Sequence, residues 1–481
     1  MKFSREDMGR VAAAKGLKES DRAEIRELMR VWNRTSAGNE LREKYYLAHV
    51  RIKDLGIAIP KNLITKIDPR CNWPRKAVHA LADRSVFNGF TSDDEKVSEE
   101  LRAICADNSM ERMYRKNVVG ELKHCCGFWD VTSDPKNKRR PIISAYPATA
   151  AVATWSDDLK AIRSGLVIVE SKPTPGGRTR KPTVLRLYTS DAVTTIRLVD
   201  GIWRASRDKT SMGRPLMEPM PYAATLERPF GSSRISREAM STTDAAIRQM
   251  ARMEVAAESS TLPQMWLLGT ASKVTNDGNK YDASMGAINE ITKDEDGDSP
   301  NVWQSAQLQM QPLNDYMRTL QCQMSQETNV PVSFFGVASD NPSSEDAINA
   351  SLEPLIIDAK NLNKDNSISL RNVALMALAV AHGTDFATEE AAGYNINPRF
   401  MQPAYPSIAS LSDAVLKQVE AVPALAESDV LLEMLDYSDE QIQRIESARR
   451  KSKSREALFG AIAEKMTQDD GASDADSTID A

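Results

Sequence analysis

The tightest constraint in this 481-residue chain is the stretch 313–381, which encodes two long helices separated by a proline-bounded turn. Leu313, Met317, Leu320 and Met324 recur at three- and four-residue steps, laying one apolar stripe along a helix. The pattern stops at Asn329-Val330-Pro331, because the residue before a proline is pushed out of helical conformation. The turn that follows carries the adjacent aromatics Phe334 and Phe335 and closes on Asp340-Asn341-Pro342. Ser343 then offers an N-cap, and Glu345 and Asp346 place negative charge where the helix dipole favours it. The second helix is expected to run through Ile348, Leu352, Leu355, Leu362, Leu370 and Val373 to Ala381, with Pro354 bending the rod without ending it.

The rest of the chain is read around that stretch. Its length demands two or more packing units. Apolar positions predict helices over 20–34 (Ile25, Leu28, Met29, Trp32) and 40–55 (Leu41, Tyr45, Ala48, Ile52). From 118 to 232 the signal turns to strands: 166–170 and 183–188 flank a hairpin tip at Pro175-Gly176-Gly177-Arg178, and 193–199 and 201–204 extend the same antiparallel region. A helix is expected from about 236 to 260, with Met240, Ile247, Met250 and Met253 interleaved with alanines. Small side chains there let neighbouring rods approach closely. Gln264 to Leu268 reads as a strand and Asn276-Asp277-Gly278-Asn279 as a turn. Residues 394–405 are turn-rich, 410–419 begin a helical C-terminal unit, and 467–481 hold five aspartates and no cation, the pattern of a disordered tail.

Few residues offer chemistry. No Walker-type G-x-x-x-x-G-K-[ST] occurs, so Gly176-Gly177 is a turn and not a phosphate cradle. His49, His79, His124 and His382 form no H-E-x-x-H, and the His124-Cys125-Cys126 cluster reads as the start of a buried strand. The tract Lys293-Asp294-Glu295-Asp296-Gly297-Asp298-Ser299-Pro300 has its glycine misplaced for a calcium loop and no closing glutamate. Five cysteines without a C-x-x-C pair predict buried free thiols, with no metal and no cofactor. A net charge of −5 argues against a broad basic surface that grips nucleic acid. The longest apolar run beside a helix, 373–381, is far short of the ~20 residues that span a bilayer, so no membrane partner is expected. With no apolar core after Met1-Lys2-Phe3-Ser4-Arg5, the expected place of synthesis and residence is a cytoplasm.

Several stretches resemble the portal proteins of tailed bacteriophages, in the branch typical of long-tailed actinobacteriophages. Glu327-Thr328-Asn329-Val330-Pro331, Phe335-Gly336 and Asp340-Asn341-Pro342-Ser343-Ser344-Glu345-Asp346-Ala347-Ile348 are similar to that family's E-T-G-I-P, L-G and D-N-P-S-S-A-E-A-I. Asn329 replaces the usual glycine and Phe335 the usual leucine. A second stretch carries Tyr45-Tyr46, Leu55-Gly56-Ile57-Ala58-Ile59-Pro60, Asn72-Trp73-Pro74 and Gly89-Phe90, and Pro229-Phe230-Gly231-Ser232-Ser233 is similar to the joint that leads into a stem helix. The resemblance covers most of 20–450.

The resemblance implies an α+β portal fold. Residues 1–235 would form N-terminal helices and an α+β wing, 236–261 a stem helix, 262–303 a clip and 304–328 a second stem helix. Residues 329–342 would be a tunnel loop, 343–405 a kinked wing helix and its return, 406–466 a helical crown, and 467–481 the acidic tail. It implies a homo-oligomeric ring, typically of ~12 copies, at one capsid vertex, acting as conduit for double-stranded DNA during packaging and ejection. The implied partners are further copies of the chain, the major capsid protein, the terminase large subunit, a head–tail adaptor and DNA bound without sequence preference. The implied location is the virion, after assembly in the host cytoplasm.

Ser333, Phe334, Phe335, Val337, Ser339, Asp340 and Asn341 would face the DNA, and Arg248 and Arg252 either face the lumen or make solvated or inter-subunit ion pairs. The loop has no basic residue, which suits a sliding cargo: duplex DNA carries a charge every ~1.7 Å, and each phosphate neutralised adds about 0.9 to the salt slope of binding. No catalytic role is expected, and ATP-driven work would fall to a partner. The alternatives are another structural head protein, such as a minor capsid or scaffold component, and a nucleic-acid hydrolase, against which the missing motifs weigh.

Overall fold

The computed structural model describes residues 5–53, 66–173, 180–261, 265–270, 288–292, 297, 309–337, 345–404 and most of 408–452. It mixes helices and sheets in an α+β arrangement. After α1 (Arg5–Ala12), α2 (Glu19–Tyr46) is one unbroken 28-residue helix where the sequence predicts two. The polar run at 35–39 does not interrupt it, because the side chains bond back into the rod. Thr35 Oγ1 donates to the Val31 carbonyl at 3.1 Å and Ser36 Oγ to that of Asn33 at 3.3 Å. Asn39 Nδ2 reaches out to the Ala148 carbonyl at 3.3 Å. The rod ends at Tyr46, and Ala48 then turns the chain with φ 53°, so 47–53 is not helical as expected.

Next come α3 (Trp73–Ala82), β1 (Phe87–Thr91), α4 (Glu95–Asn108) and α5 (Met110–His124). Residues 118–124 are therefore the last turns of a helix, and the strand region begins only with β2 (Cys126–Ser133). The reason is visible in Met110, Tyr114, Val118 and Leu122, whose four-residue spacing puts all four in the core. His124 is thus a helix terminus and not a strand start.

Two sheets carry the middle of the chain. In one, β2 lies between β3 (Pro141–Pro147) and β9 (Met217–Pro221). The other is an antiparallel meander of β4 (Ala151–Ser156), β5 (Ala161–Pro173), β6 (Arg180–Tyr188), β7 (Ala192–Val199) and β8 (Ile202–Lys209). β5 and β6 pair as far as Pro173 with Arg180, while the expected tip at 175–178 lies outside the described residues. Asp200 (φ 50°) and Gly201 (φ 78°) join β7 to β8, positive values at both positions matching the twist of a tight hairpin. One face of the meander, with Val152, Leu166, Ile168, Leu185, Leu187 and Ile196, packs on Ile25, Leu28, Met29 and Trp32 of α2. Each such side chain contributes about 2 kcal/mol of burial.

The remaining core is organised on α8 (Glu345–His382), reached through α6 (Arg237–Thr261), β10 (Met265–Thr270), β11 (Ile288–Thr292) and α7 (Gln311–Thr328). The helix expected over 236–260 is α6 within a residue, and the expected strand at 264–268 is β10. The 38 residues of α8 run through Pro354, while the proposed cap at Ser343 lies outside the described residues. Leu362, Leu370, Val373 and Leu378 are buried along it, interleaved with a polar row the sequence reading overlooks. Asn363 accepts from Ser85 at 2.6 Å, Asn366 donates to Tyr114 at 3.0 Å and to Glu121 at 3.1 Å, Ser369 donates to the Pro219 carbonyl at 2.7 Å, and Asn372 donates to Glu218 at 2.8 Å. This row fixes the rotation of α8 against α5 and β9, since a buried polar group without a partner is costly.

After α9 (Phe386–Ala391), β12 (Asn397–Phe400) pairs antiparallel with β1, so part of the turn-rich 394–405 is strand. α10 (Ile408–Ala421) and α11 (Asp429–Met434) belong to the helical C-terminal segment, and 467–481 lies outside the described residues. The thiols of Cys71 and Cys126 are buried as expected, those of Cys105 and Cys125 are half-buried, and Cys322 on α7 is exposed. No helix among the described residues is long and apolar enough to cross a membrane.

Candidate channel elements and their joint

α6 and α7 lie against each other, and Gln249 Nε2 donates to the Leu313 carbonyl at 2.9 Å. α7 stops at Asn329, whose φ of 51° is left-handed. Glycine takes that conformation freely and asparagine tolerates it, which explains how Asn329 stands where the resembled motif has glycine. The asparagine adds a contact glycine lacks: its Nδ2 donates to both carboxylate oxygens of Asp358 on α8, at 3.2 and 3.3 Å.

Beyond it, Val330 is buried and Val332–Phe335 form a turn of 3-10 helix where an open loop is expected. Gln321 Nε2 donates to the Phe335 carbonyl at 2.9 Å and Ser325 Oγ to that of Val330 at 2.7 Å, so α7 holds the turn against itself. Gly336 ends the turn with φ 97°, a backbone only glycine adopts cheaply.

The two aromatics divide. Phe335 is 5 % exposed, edge-on to Trp73 with centroids 5.9 Å apart, so its ring belongs to the core and not to any open channel. Phe334 is 37 % exposed, with the Arg84 guanidinium 5.9 Å from its ring centre. Ser333 is exposed and Val337 half-buried, while Ser339, Asp340 and Asn341 lie outside the described residues. Arg248 and Arg252 are half-buried on α6, one turn apart, and neither makes an ion pair among the described residues.

One residue the sequence reading missed fastens these pieces together. Arg234, just before α6 and 6 % exposed, donates Nε–H to the Ala77 carbonyl at 2.9 Å and Nη1–H to the Tyr222 hydroxyl at 2.9 Å. The same Nη1 lies 3.3 Å from Asp358, and Nη2 donates to the Thr328 carbonyl at the end of α7. The planar guanidinium thereby ties α3, the start of α6, the end of α7 and α8 into one joint. The double tyrosine supplies a second tie. Tyr45 donates to Asp244 of α6 at 2.9 Å, where Lys53 also binds, and Tyr46 lies 2.9 Å from His79 Nε2 on α3.

No catalytic pair emerges at His124. Burial pushes its pKa down, and its Nε2 lies 3.0 Å from Glu43, to which Lys123 is bound at 2.8 Å. The hydrogen bond from His124, with Lys123 beside it, holds Glu43 down to about 2 against the opposing effect of burial. Burial also raises the Cys125 thiol, so the thiolate needed for nucleophilic chemistry is disfavoured. A neighbouring cavity of about 350 Å³ is lined by Arg34, Asn39, Arg42, Cys125 and Phe230. The described residues contain no group of three or more potential metal-ligating side chains, and the tract 293–300 lies outside them apart from Gly297.

No family model matches the chain. It is 24 % identical over 333 residues to the portal protein of Mycobacterium phage L5, covering 66 % of each chain. It is 23 % identical over 389 residues to the portal protein of Mycobacterium phage D29, covering 78 % of this chain and 77 % of that one. The chain is a homologue of phage portal proteins. The match to the L5 protein spans just under two thirds of that relative's length. Among solved structures, the neck of an empty gene transfer agent particle computed with C6 symmetry aligns at a TM-score of 0.44 and 12 % identity, covering 79 % of this chain and 94 % of that one. The neck of the native particle computed with C12 symmetry aligns at 0.41 and 11 %, covering 75 % and 89 %.

Proposed function

We propose that this chain is the portal subunit of a tailed bacteriophage: it closes head-to-tail into a ring at one capsid vertex, through which double-stranded DNA enters and leaves. The observation that carries the reading is homology to two portal proteins across 66 % and 78 % of the chain. The geometry is compatible with it. Paired helices α6 and α7 lead to a fastened turn at 329–336, and the segment after that turn has no basic residue to retard a polyanion. Arg248 and Arg252, half-buried without partners among the described residues, are free to meet either a neighbouring copy or DNA.

In this role the subunit is a passive conduit. The terminase large subunit docks on the ring and supplies ATP-driven work, a head–tail adaptor binds it after packaging, and the major capsid protein surrounds it. Ring assembly takes place in the host cytoplasm and the product resides in the virion. A ring of ~12 copies is the expected closure.

Native mass spectrometry and negative-stain microscopy of the purified chain test the reading. A single closed oligomer with a central hole is expected. Shells or rods would favour a different structural head protein. A solitary chain at every concentration, together with particles that fill and empty normally without it, would overturn the portal assignment.

A further inference from the structure

The cavity of about 350 Å³ beside His124 takes no part in the channel elements, yet it has the make-up of a binding site. Its volume falls in the range of ligand pockets, about 300–1,000 Å³. Phe128, Ala151, Ala153 and Phe230 give it apolar walls, and Arg34 and Arg42 of α2 add positive charge. The charges of Arg42 and Arg228 both reach Cys125 in its lining. Among the described residues none of these three arginines has a carboxylate partner, and Arg42 donates to the amide oxygen of Asn39 at 3.1 Å. The nearby Glu43 carboxylate is already taken by His124 and Lys123.

Two features call for an occupant. His124 is 3 % exposed, and its Nδ1 is buried with no partner among the described residues. Because Nε2 faces the ionised Glu43 carboxylate, Nε2 carries the proton and Nδ1 is a bare acceptor that needs an N–H or O–H. Gly38 lines the cavity from an exposed position in the middle of α2, where glycine weakens a helix. A Cβ there would meet nothing closer than Arg42 Nη1 at 3.9 Å. Packing within the chain therefore does not demand glycine, whereas close approach of a ligand backbone favours it.

We propose that this cavity is the docking site of the chain's own acidic segment 467–481, with Ile479 against the apolar walls and the flanking aspartates on the arginines. The inference goes beyond the ring reading and does not rest on it. The segment holds Asp469, Asp470, Asp474, Asp476 and Asp480 and no cation, and Ile479 is its one large apolar side chain. An acidic backbone supplies both things the cavity lacks, an N–H for His124 Nδ1 and carboxylates for the arginines. The chain is long enough. Arg450 Nη2 lies 3.7 Å from Glu95 at the start of α4, and the residues from there to 467 span up to about 55 Å when extended. The helices between Glu95 and His124, of 14 and 15 residues, put those two ends at most about 45 Å apart. A tethered segment reaches an effective concentration of order mM, so it holds the site against a free competitor of similar affinity.

Fluorescence anisotropy of a labelled synthetic peptide of residues 467–481, amidated at its C-terminus, tests this on the full chain. In one form the five aspartates of the segment are replaced by asparagine and Ile479 by serine, which vacates the cavity and leaves the described fold untouched. The expected result is saturable binding to this form, and binding at least about tenfold weaker to the chain with its native segment, whose cavity is filled. Adding Gly38→Leu to the vacated form should weaken binding by at least about tenfold. Leucine blocks the cavity while favouring the helix, so unchanged thermal unfolding is expected alongside the loss. Arg34→Gln should also weaken binding, through the charge it removes. No saturable binding up to about 1 mM, or binding indifferent to Gly38→Leu or to Arg34→Gln, would overturn the site. Equal binding to the vacated and native forms would overturn the segment as its occupant.

Discussion

Replacing Arg234 with alanine is the sharpest probe of how the paired helices are held. Its guanidinium is buried and serves the carbonyls of Ala77 and Thr328, the Tyr222 hydroxyl and Asp358. Breaking a buried ion pair from one side costs about 3–5 kcal/mol, and each buried carbonyl left without a donor about 1–3 kcal/mol. The low ends apply here, because the Asp358 side chain is 25 % exposed and keeps its bonds from Asn329. The expected loss is therefore about 5 kcal/mol for Arg234→Ala. Arg234→Lys keeps the charge without the fork that reaches several acceptors at once, and should lose about 2 kcal/mol. Urea unfolding followed by tryptophan fluorescence measures both, and a double-mutant cycle with Asp358→Asn isolates the pair. A cost below about 1 kcal/mol for the alanine variant, or no coupling to Asp358, would refute the joint as described.

Three further outcomes are expected. Asn329→Gly should stay within about 1 kcal/mol of the parent, whereas Asn329→Val, forced to φ 51°, should lose about 1–3 kcal/mol in thermal or urea unfolding. Equal stabilities would remove the left-handed turn as the reason for the residue choice. Glu121 is fully buried, and burial raises its pKa well above 4.5 despite the bond from Asn366. The folded chain therefore holds a proton that the unfolded chain releases. That contribution is full below pH 4.5 and declines as pH rises toward the folded pKa, by about 1.4 kcal/mol per unit. Glu121→Gln should flatten this decline in unfolding experiments between about pH 5 and 7, and parallel pH profiles would contradict a buried neutral acid. Shortening 337–340 should leave ring mass unchanged while reducing DNA retained per particle, and particles with full genome content would exclude the segment from that role.

Legibility varied with the range of the forces involved. The helices at 237–261 and 311–328 were readable because their apolar steps and the Asn329-Val330-Pro331 stop are local signals. α4 and α5 were readable in principle from Val97, Leu101 and Ile104 and from the four-residue spacing of Met110 to Leu122, but the strand-rich neighbourhood obscured them. The break expected at 35–39 failed because intrahelical side-chain bonds and the contact with Ala148 outweigh the weak helix propensity of Thr, Ser, Gly and Asn. Arg234 and the polar row of α8 gave no signal. Their partners lie between 12 and 278 residues away along the chain, and nothing local marks an arginine or asparagine as buried.

The sequence alone determined the long helices, the proline-bounded turn between them, the hairpin region and the portal-type motifs, because each depends on residues within one or two turns of one another. The tertiary structure alone decided that Phe335 serves the core while Phe334 faces outward, that Arg234 joins four segments, and that β10 and β11 pair in parallel. These follow from which distant surfaces exclude water together, a property of the packed chain that no local spacing encodes.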